Sequence, residues 1–111
     1  MPRRLTGEER LRARVAEWSA RLRVTPRVVR VQRMTRKWGS CSSAGTITLA
    51  ADLARRSAAF QDFVVVHELM HLRVPNHGKL FRALMTAHLP AWRQLSMNQY
   101  QISATLIARI A

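Results

Sequence analysis

One stretch decides most of what this chain can become: Phe63-Val64-Val65-Val66-His67-Glu68-Leu69-Met70-His71-Leu72. It is apolar nearly all round, which predicts a buried central helix, yet it carries two histidines and a glutamate. Buried polar groups without partners are costly, so the fold must give these three something to bind. Four residues apart on a helix, His67 and His71 share a face, with Cβ atoms about 6 Å apart. Two imidazoles at that spacing can converge on one metal ion. Glu68 points about 100° further round, too far to share the ion readily but close enough to hydrogen-bond a water on it. Val74-Pro75-Asn76 predicts a break, because proline disfavours the helical conformation at Val74. Asn76 is then an N-cap for a new helix starting near His77, and the turn can swing His77 back to the metal. Three nitrogens and one open position describe a catalytic zinc site rather than a closed structural one. Zinc lowers the pKa of its water to about 7, and Glu68 is placed to take the proton.

Other readings of these residues stay open at this point. His67 and His71 can be core histidines bonded to carbonyls, with Glu68 paired to an arginine. His77 can be a surface histidine at a helix start. His88 lies about 16 Å further along the same predicted helix if it is straight, too far to share the ion. It reads as a favourable charge near a helix C-terminus, just before Pro90.

Elsewhere the local signals order the chain. Thr6-Gly7-Glu8-Glu9 is a capping box, followed by Leu11, Val15, Trp18 and Leu22 at helical spacing. A first amphipathic helix is therefore expected over about 7–23, ending at Thr25-Pro26. Val29 and Val31 alternate with Arg30 and Gln32 as in a half-buried strand. Ser43-Ala44-Gly45 is a hairpin turn leading into Thr46–Ala50, where Ile47 and Leu49 share a face. A small antiparallel sheet follows from these signals, with Thr46–Ala50 as the candidate edge for an added substrate strand. Trp38-Gly39-Ser40-Cys41 reads as a tight turn with a buried Trp and Cys, in preference to a segment that packs beneath the site or lines it. Ser57 caps the motif helix, about 58–73; further helices are expected over 77–88 and 91–96. Ile102, Leu106 and Ile110 suggest a last one within 98–111.

Composition adds bounds. The chain has 111 residues, read as a single domain over 1–111. The lone cysteine, Cys41, excludes an intrachain disulfide and fits a reducing compartment. With no signal-peptide pattern and no membrane-length apolar run, a cytoplasmic protein without membrane contact is expected. The net charge is +13, from 19 basic residues, all arginine except Lys37 and Lys79, against 6 acids. Such a surface suits nucleic acid or another polyanion, or simply reflects a general preference for arginine as solubilising charge.

Lys37-Trp38-Gly39-Ser40-Cys41-Ser42, then Thr46-Ile47-Thr48-Leu49, His67-Glu68-Leu69-Met70-His71-Leu72 and Pro75-Asn76-His77-Gly78 occur in this order. Together they resemble the YgjP-like metallopeptidase domain, a minimal zincin family with WLM and SprT-like domains as distant relatives. The resemblance spans roughly residues 26–95. It implies an α+β zincin-like fold: N-terminal helix, small sheet, central helix bearing the His-Glu-x-x-His motif, and C-terminal helices. It also implies Zn2+ held by His67, His71 and His77, with Glu68 as general base toward a peptide or protein substrate. Two departures stand out. Family members commonly carry a larger region before the Trp-Gly-Ser-Cys segment, and a strand that usually ends in Leu-Asn ends here in Leu49-Ala50.

Three functions compete on this reading. The first is zinc-dependent peptide hydrolysis, with Tyr100 and Arg73 as candidates to stabilise the oxyanion. The second is zinc-dependent hydrolysis of a nucleotide or phosphate ester, which the arginines favour and the lack of a Gly-rich phosphate loop disfavours. The third is a nucleic-acid-associated protein whose zinc acts as a structural staple. Substrate-binding residues are not assignable from sequence.

Overall fold

A computed structural model of the chain describes residues 3–94. The first helix, α1 (Gly7–Leu22), opens as its capping box predicts. Thr6 Oγ1 accepts from Glu9 N at 3.1 Å, and Glu9 Oε1 accepts from Thr6 N at 2.9 Å. Its apolar stripe Leu11, Val15, Trp18 and Leu22 is buried. The helix closes on Arg23, which sits in the left-handed region at φ 55°. There Val24 N donates to Ser19 O at 3.0 Å, a six-to-one closure usually given to glycine.

Three strands follow: β1 (Val28–Gln32), β2 (Gly39–Cys41) and β3 (Thr46–Ala50). Their spatial order is β1-β3-β2. The expected antiparallel sheet is therefore corrected to a mixed one. β2 and β3 form the antiparallel hairpin, but β1 runs parallel to β3, Val28 opposite Thr46 through Gln32 opposite Ala50. The reason is the path of the chain. Parallel neighbours need a connection of about a dozen residues or more, and residues 33–45, which include β2, supply it. β3 enters the slot between the earlier strands. It is thus the central strand and has no free edge, which overturns its reading as the substrate-binding edge; β2 holds an outer position instead.

The hairpin turns at Gly45, φ 91°, with Gly45 N donating to Ser42 O at 3.0 Å. Ile47 and Leu49 are fully buried. A short 3-10 turn, Ala51–Arg55, which the sequence did not signal, is pinned by buried Gln61, whose Nε2 donates to the Ala54 and Arg56 carbonyls at 3.3 and 2.9 Å. The central helix α2 (Ala58–Met70) is capped by Ser57, as expected, with Oγ accepting from Phe60 N at 3.1 Å. α2 packs on α1 and the inner sheet face. Trp38 is buried edge-on to Phe60, ring centroids 5.5 Å apart. Asp62 ties α2 to α1 by accepting from Arg14 Nη1 at 2.6 Å and Trp18 Nε1 at 2.8 Å.

The third helix, α3 (Lys79–His88), begins two residues later than the sequence suggests, with Gly78 as N-cap. Asn76 is not the cap: its Oδ1 accepts from Gly78 N at 3.0 Å within the turn. His88 is the last residue of α3, where a helix C-terminus was expected. Residues 92–94 begin another helical turn; the expected helix within 98–111 lies outside the described residues. Among the described residues no helix is long and apolar enough to cross a membrane.

Candidate metal centre

α2 carries His67 and Glu68 into the core, where they are 7% and 1% exposed. The helix then tightens as it ends. His71 N donates to Glu68 O at 3.1 Å and Arg73 N to Met70 O at 2.9 Å, i to i−3 bonds typical of a last turn. His71 is the C-cap but keeps helical angles, φ −66° and ψ −15°, so it still shares a face with His67. Val74-Pro75-Asn76 reverses the chain and returns His77 to that face.

The result is a cluster. His71 Nε2 and His77 Nε2 are 3.0 Å apart, and His77 Nε2 and His67 Nε2 3.3 Å. One ligand atom from each lies within 4.8 Å of the other two. Nitrogens placed tetrahedrally about zinc at its usual bond length are about 3.3 Å apart, so the cluster is the size such an ion needs. The ring chemistry agrees. His71 Nδ1 lies 3.1 Å from the Val74 carbonyl, which can only accept. In the neutral ring Nδ1 therefore carries the proton and Nε2 turns its lone pair toward the other two histidines. Burial holds the His71 pKa below its usual value, against a smaller opposing effect of the Val74 hydrogen bond. Burial thus favours the neutral, ligating form.

Phe81 of α3 backs the whole cluster. It is 2% exposed, with its ring centroid 5.2, 4.9 and 4.9 Å from those of His67, His71 and His77. The sequence reading missed it because an apolar residue four positions after His77 looks like ordinary core. It also did not single out Gly39 within its segment, where a Cβ would meet Glu68 Cγ at 2.8 Å and Val64 Cγ1 at 3.2 Å. Only glycine lets β2 approach the glutamate this closely.

Glu68 and two of the histidines open on a cleft of about 380 Å³. β2 and its flanks supply Lys37, Ser40, Cys41, Ser42 and Ser43; the helix end and turn supply Glu68, His71, Pro75 and His77. Burial pushes the Glu68 carboxyl up to about 8, with Lys37 pulling it down. Cys41 is half-buried rather than buried as expected, and burial followed by the charge of Glu68 pushes its thiol up. A thiol so placed is a poor nucleophile. Larger cavities, about 710 Å³ between α1 and β1 and about 510 Å³ beside Arg33 and Arg55, touch none of these histidines.

Of the oxyanion candidates, Arg73 does not line the cleft; its Nη1 donates toward the Leu22 carbonyl at 3.5 Å. Tyr100 lies outside the described residues.

No curated protein matches the chain. Among solved structures, the metallopeptidase zymogen jannalysin of Methanocaldococcus jannaschii aligns with a TM-score of 0.73 at 18% identity, over 82% of this chain and 94% of that one. That likeness is one of fold, and it agrees with the α+β zincin-like architecture. The YgjP-like metallopeptidase domain matches residues 3–98, and with every described residue inside that match, the protein belongs to the YgjP-like metallopeptidase family.

Proposed function

We propose that the chain is a single-domain zinc peptidase in which His67, His71 and His77 hold the ion and Glu68 is the general base. The observation that carries this reading is the convergence of three histidine Nε2 atoms beside a buried glutamate at the wall of an open cleft. Bound zinc supplies a Lewis acid that polarises a carbonyl and acidifies water. Glu68 takes the proton of the attacking water on a carboxylate oxygen and passes it to the departing amine. For this it must be ionised, and Lys37 favours its charged form against the effect of burial.

β2 is the element suited to hold a peptide. Trp38 O accepts from Ala50 N and Ser42 N donates to Thr46 O, so residues 38, 40 and 42 face β3. By alternation, the backbone groups of Gly39 and Cys41 face away from it. An extended peptide added there lies along the cleft wall. The cleft offers a phosphate group one cation, Lys37, and no arginine among its described lining residues, which favours the peptide over a phosphate ester.

The test is metal content by elemental mass spectrometry on untagged protein, wild type beside His77→Ala, paired with peptide hydrolysis by wild type and Glu68→Gln. About one zinc per chain, lost or weakened in His77→Ala, is expected. Glu68→Gln should keep the metal and lose at least about 100-fold in turnover. No metal after reloading would overturn the site, and full activity in Glu68→Gln would remove that residue from the reaction.

A further inference from the structure

The cleft walls come from two parts of the chain that are almost free of acids. Between Glu17 and Asp52 there is no Asp or Glu, and none follows Glu68. The remaining acids are engaged elsewhere. Glu8, Glu9 and Glu17 pair with Arg12, Arg3 and Arg21 around α1, Asp62 pairs with Arg14, and Asp52 lines the separate cavity beside Arg33 and Arg55. Glu68 is thus the one carboxylate among the described lining residues, and Lys37 the one ammonium. Lys37 is exposed, as is its neighbour Arg36. The wall beneath Lys37 is built of short hydroxyl side chains, Ser40, Ser42 and Ser43, which can donate to a carboxylate. Pro75 is the one wholly apolar residue among the described lining residues, so these offer little to a large apolar side chain. With Glu68 buried and Lys37 and Arg36 exposed, the accessible charge of this wall is positive and draws in the opposite sign.

Building on the peptidase reading of this same site, we propose that the cleft selects acidic peptides, Lys37 receiving an Asp or Glu side chain of a strand laid along β2. Lys37 stands two residues before Gly39, at the start of the β2 edge, so a strand on that edge passes its ammonium. A lysine-rich or arginine-rich peptide meets like charge at the same point and is rejected.

The experiment uses two fluorescent peptides of equal length, identical except for Asp/Glu or Lys/Arg at the flanking positions, titrated by anisotropy into zinc-loaded Glu68→Gln protein. The acidic peptide should bind at least about tenfold tighter. Lys37→Glu in that background should abolish or reverse the ratio. Arg10→Glu, an equal change of net charge on α1 away from the cleft, should leave it within about twofold. Equal binding of the two peptides would overturn the proposal. So would an equal loss with Arg10→Glu, since the preference would then belong to the overall charge. Zinc-loaded wild type is assayed for cleavage of both peptides in parallel. Cleavage of both alike would overturn the acidic preference and leave the peptidase standing. Cleavage of neither, with the binding preference intact, would count against the peptidase and leave Lys37 as a recognition residue.

Discussion

The first helix meets water along most of one side; the second hardly meets it at all. α1 advertises its limits and its face. A capping box opens it, a left-handed residue closes it, and the pairs Arg12–Glu8 and Arg21–Glu17 lie one turn apart on its outside. α2 has a single serine cap, and from Phe60 to Met70 every residue but Asp62 is buried. In α1 the charged residues are a solvated surface, and exposed pairs of that kind contribute little stability. In α2 the charged and polar residues apart from Asp62 have no surface to occupy, so His67 and Glu68 stand where an apolar residue would pack better. On the proposed function, a helix that tolerates this gives up stability for chemistry, and α1 is free to serve stability alone.

The largest test of that division is Leu11→Ala, at a fully buried position of α1. It should cost about 2–5 kcal/mol in urea unfolding while zinc affinity, measured by chelator competition on the folded protein, stays unchanged. A parallel loss of affinity would show that the two helices are not separable.

Next comes the penalty carried by α2 itself. The Glu68 pKa is raised from 4.5 to about 8 in the fold, so its contribution is full below pH 4.5 and is lost as pH rises through 8. The His71 pKa is lowered from 6.5, so that residue acts only in more acid solution. Between pH 6.5 and 8 the metal-free protein should therefore lose on the order of 1–2 kcal/mol. Glu68→Gln should flatten that slope in the same urea titrations. A flat wild-type profile would mean that the carboxylate is already charged and paired.

Smaller effects are expected on α1. Thr6→Ala should cost about 1 kcal/mol. The Glu9 carboxyl, held at about 2 chiefly by Arg3 and then by Thr6, adds stability that is present above pH 4.5 and lost as pH falls through 2. Thr6→Ala should move its titration, followed by NMR, toward the ordinary carboxylate range. Last, Arg23→Gly should raise the unfolding midpoint slightly, by less than about 1 kcal/mol, because glycine adopts the left-handed conformation without strain. Arg23 lies outside the cleft, so neither metal content nor hydrolysis should respond.

How far the sequence could be read follows the same division. Solvent marks one face of α1, so the spacing of Leu11, Val15, Trp18 and Leu22 was enough to place it. In α2 the periodic signal vanishes, but the intrusion of His67, Glu68 and His71 into an apolar run pointed to the site directly. Pro75 forecast the turn that returns His77. What stayed hidden depends on contacts between distant segments. The alternation of β1 gives it a face, but not the direction of its partner, so the parallel pairing with β3 was not visible. Phe81 and Gly39 act through what they touch, and a lone phenylalanine or glycine says nothing of its neighbour. Arg73 looked available to the cleft from its position after the motif, yet it points toward the Leu22 carbonyl.

The three histidines all fall within residues 67–77, and this brevity bears on how metal and folding are linked. A loop of about ten residues closes in roughly 10–100 ns and with little loss of chain entropy. A chain whose α1 and sheet have come apart can still bring these imidazoles together. On the proposed function, in which these histidines hold the ion, the unfolded ensemble keeps part of the affinity, and binding to that ensemble subtracts from the stabilisation the metal gives. The rise in melting temperature on adding zinc should be smaller than the affinity of the folded site alone implies.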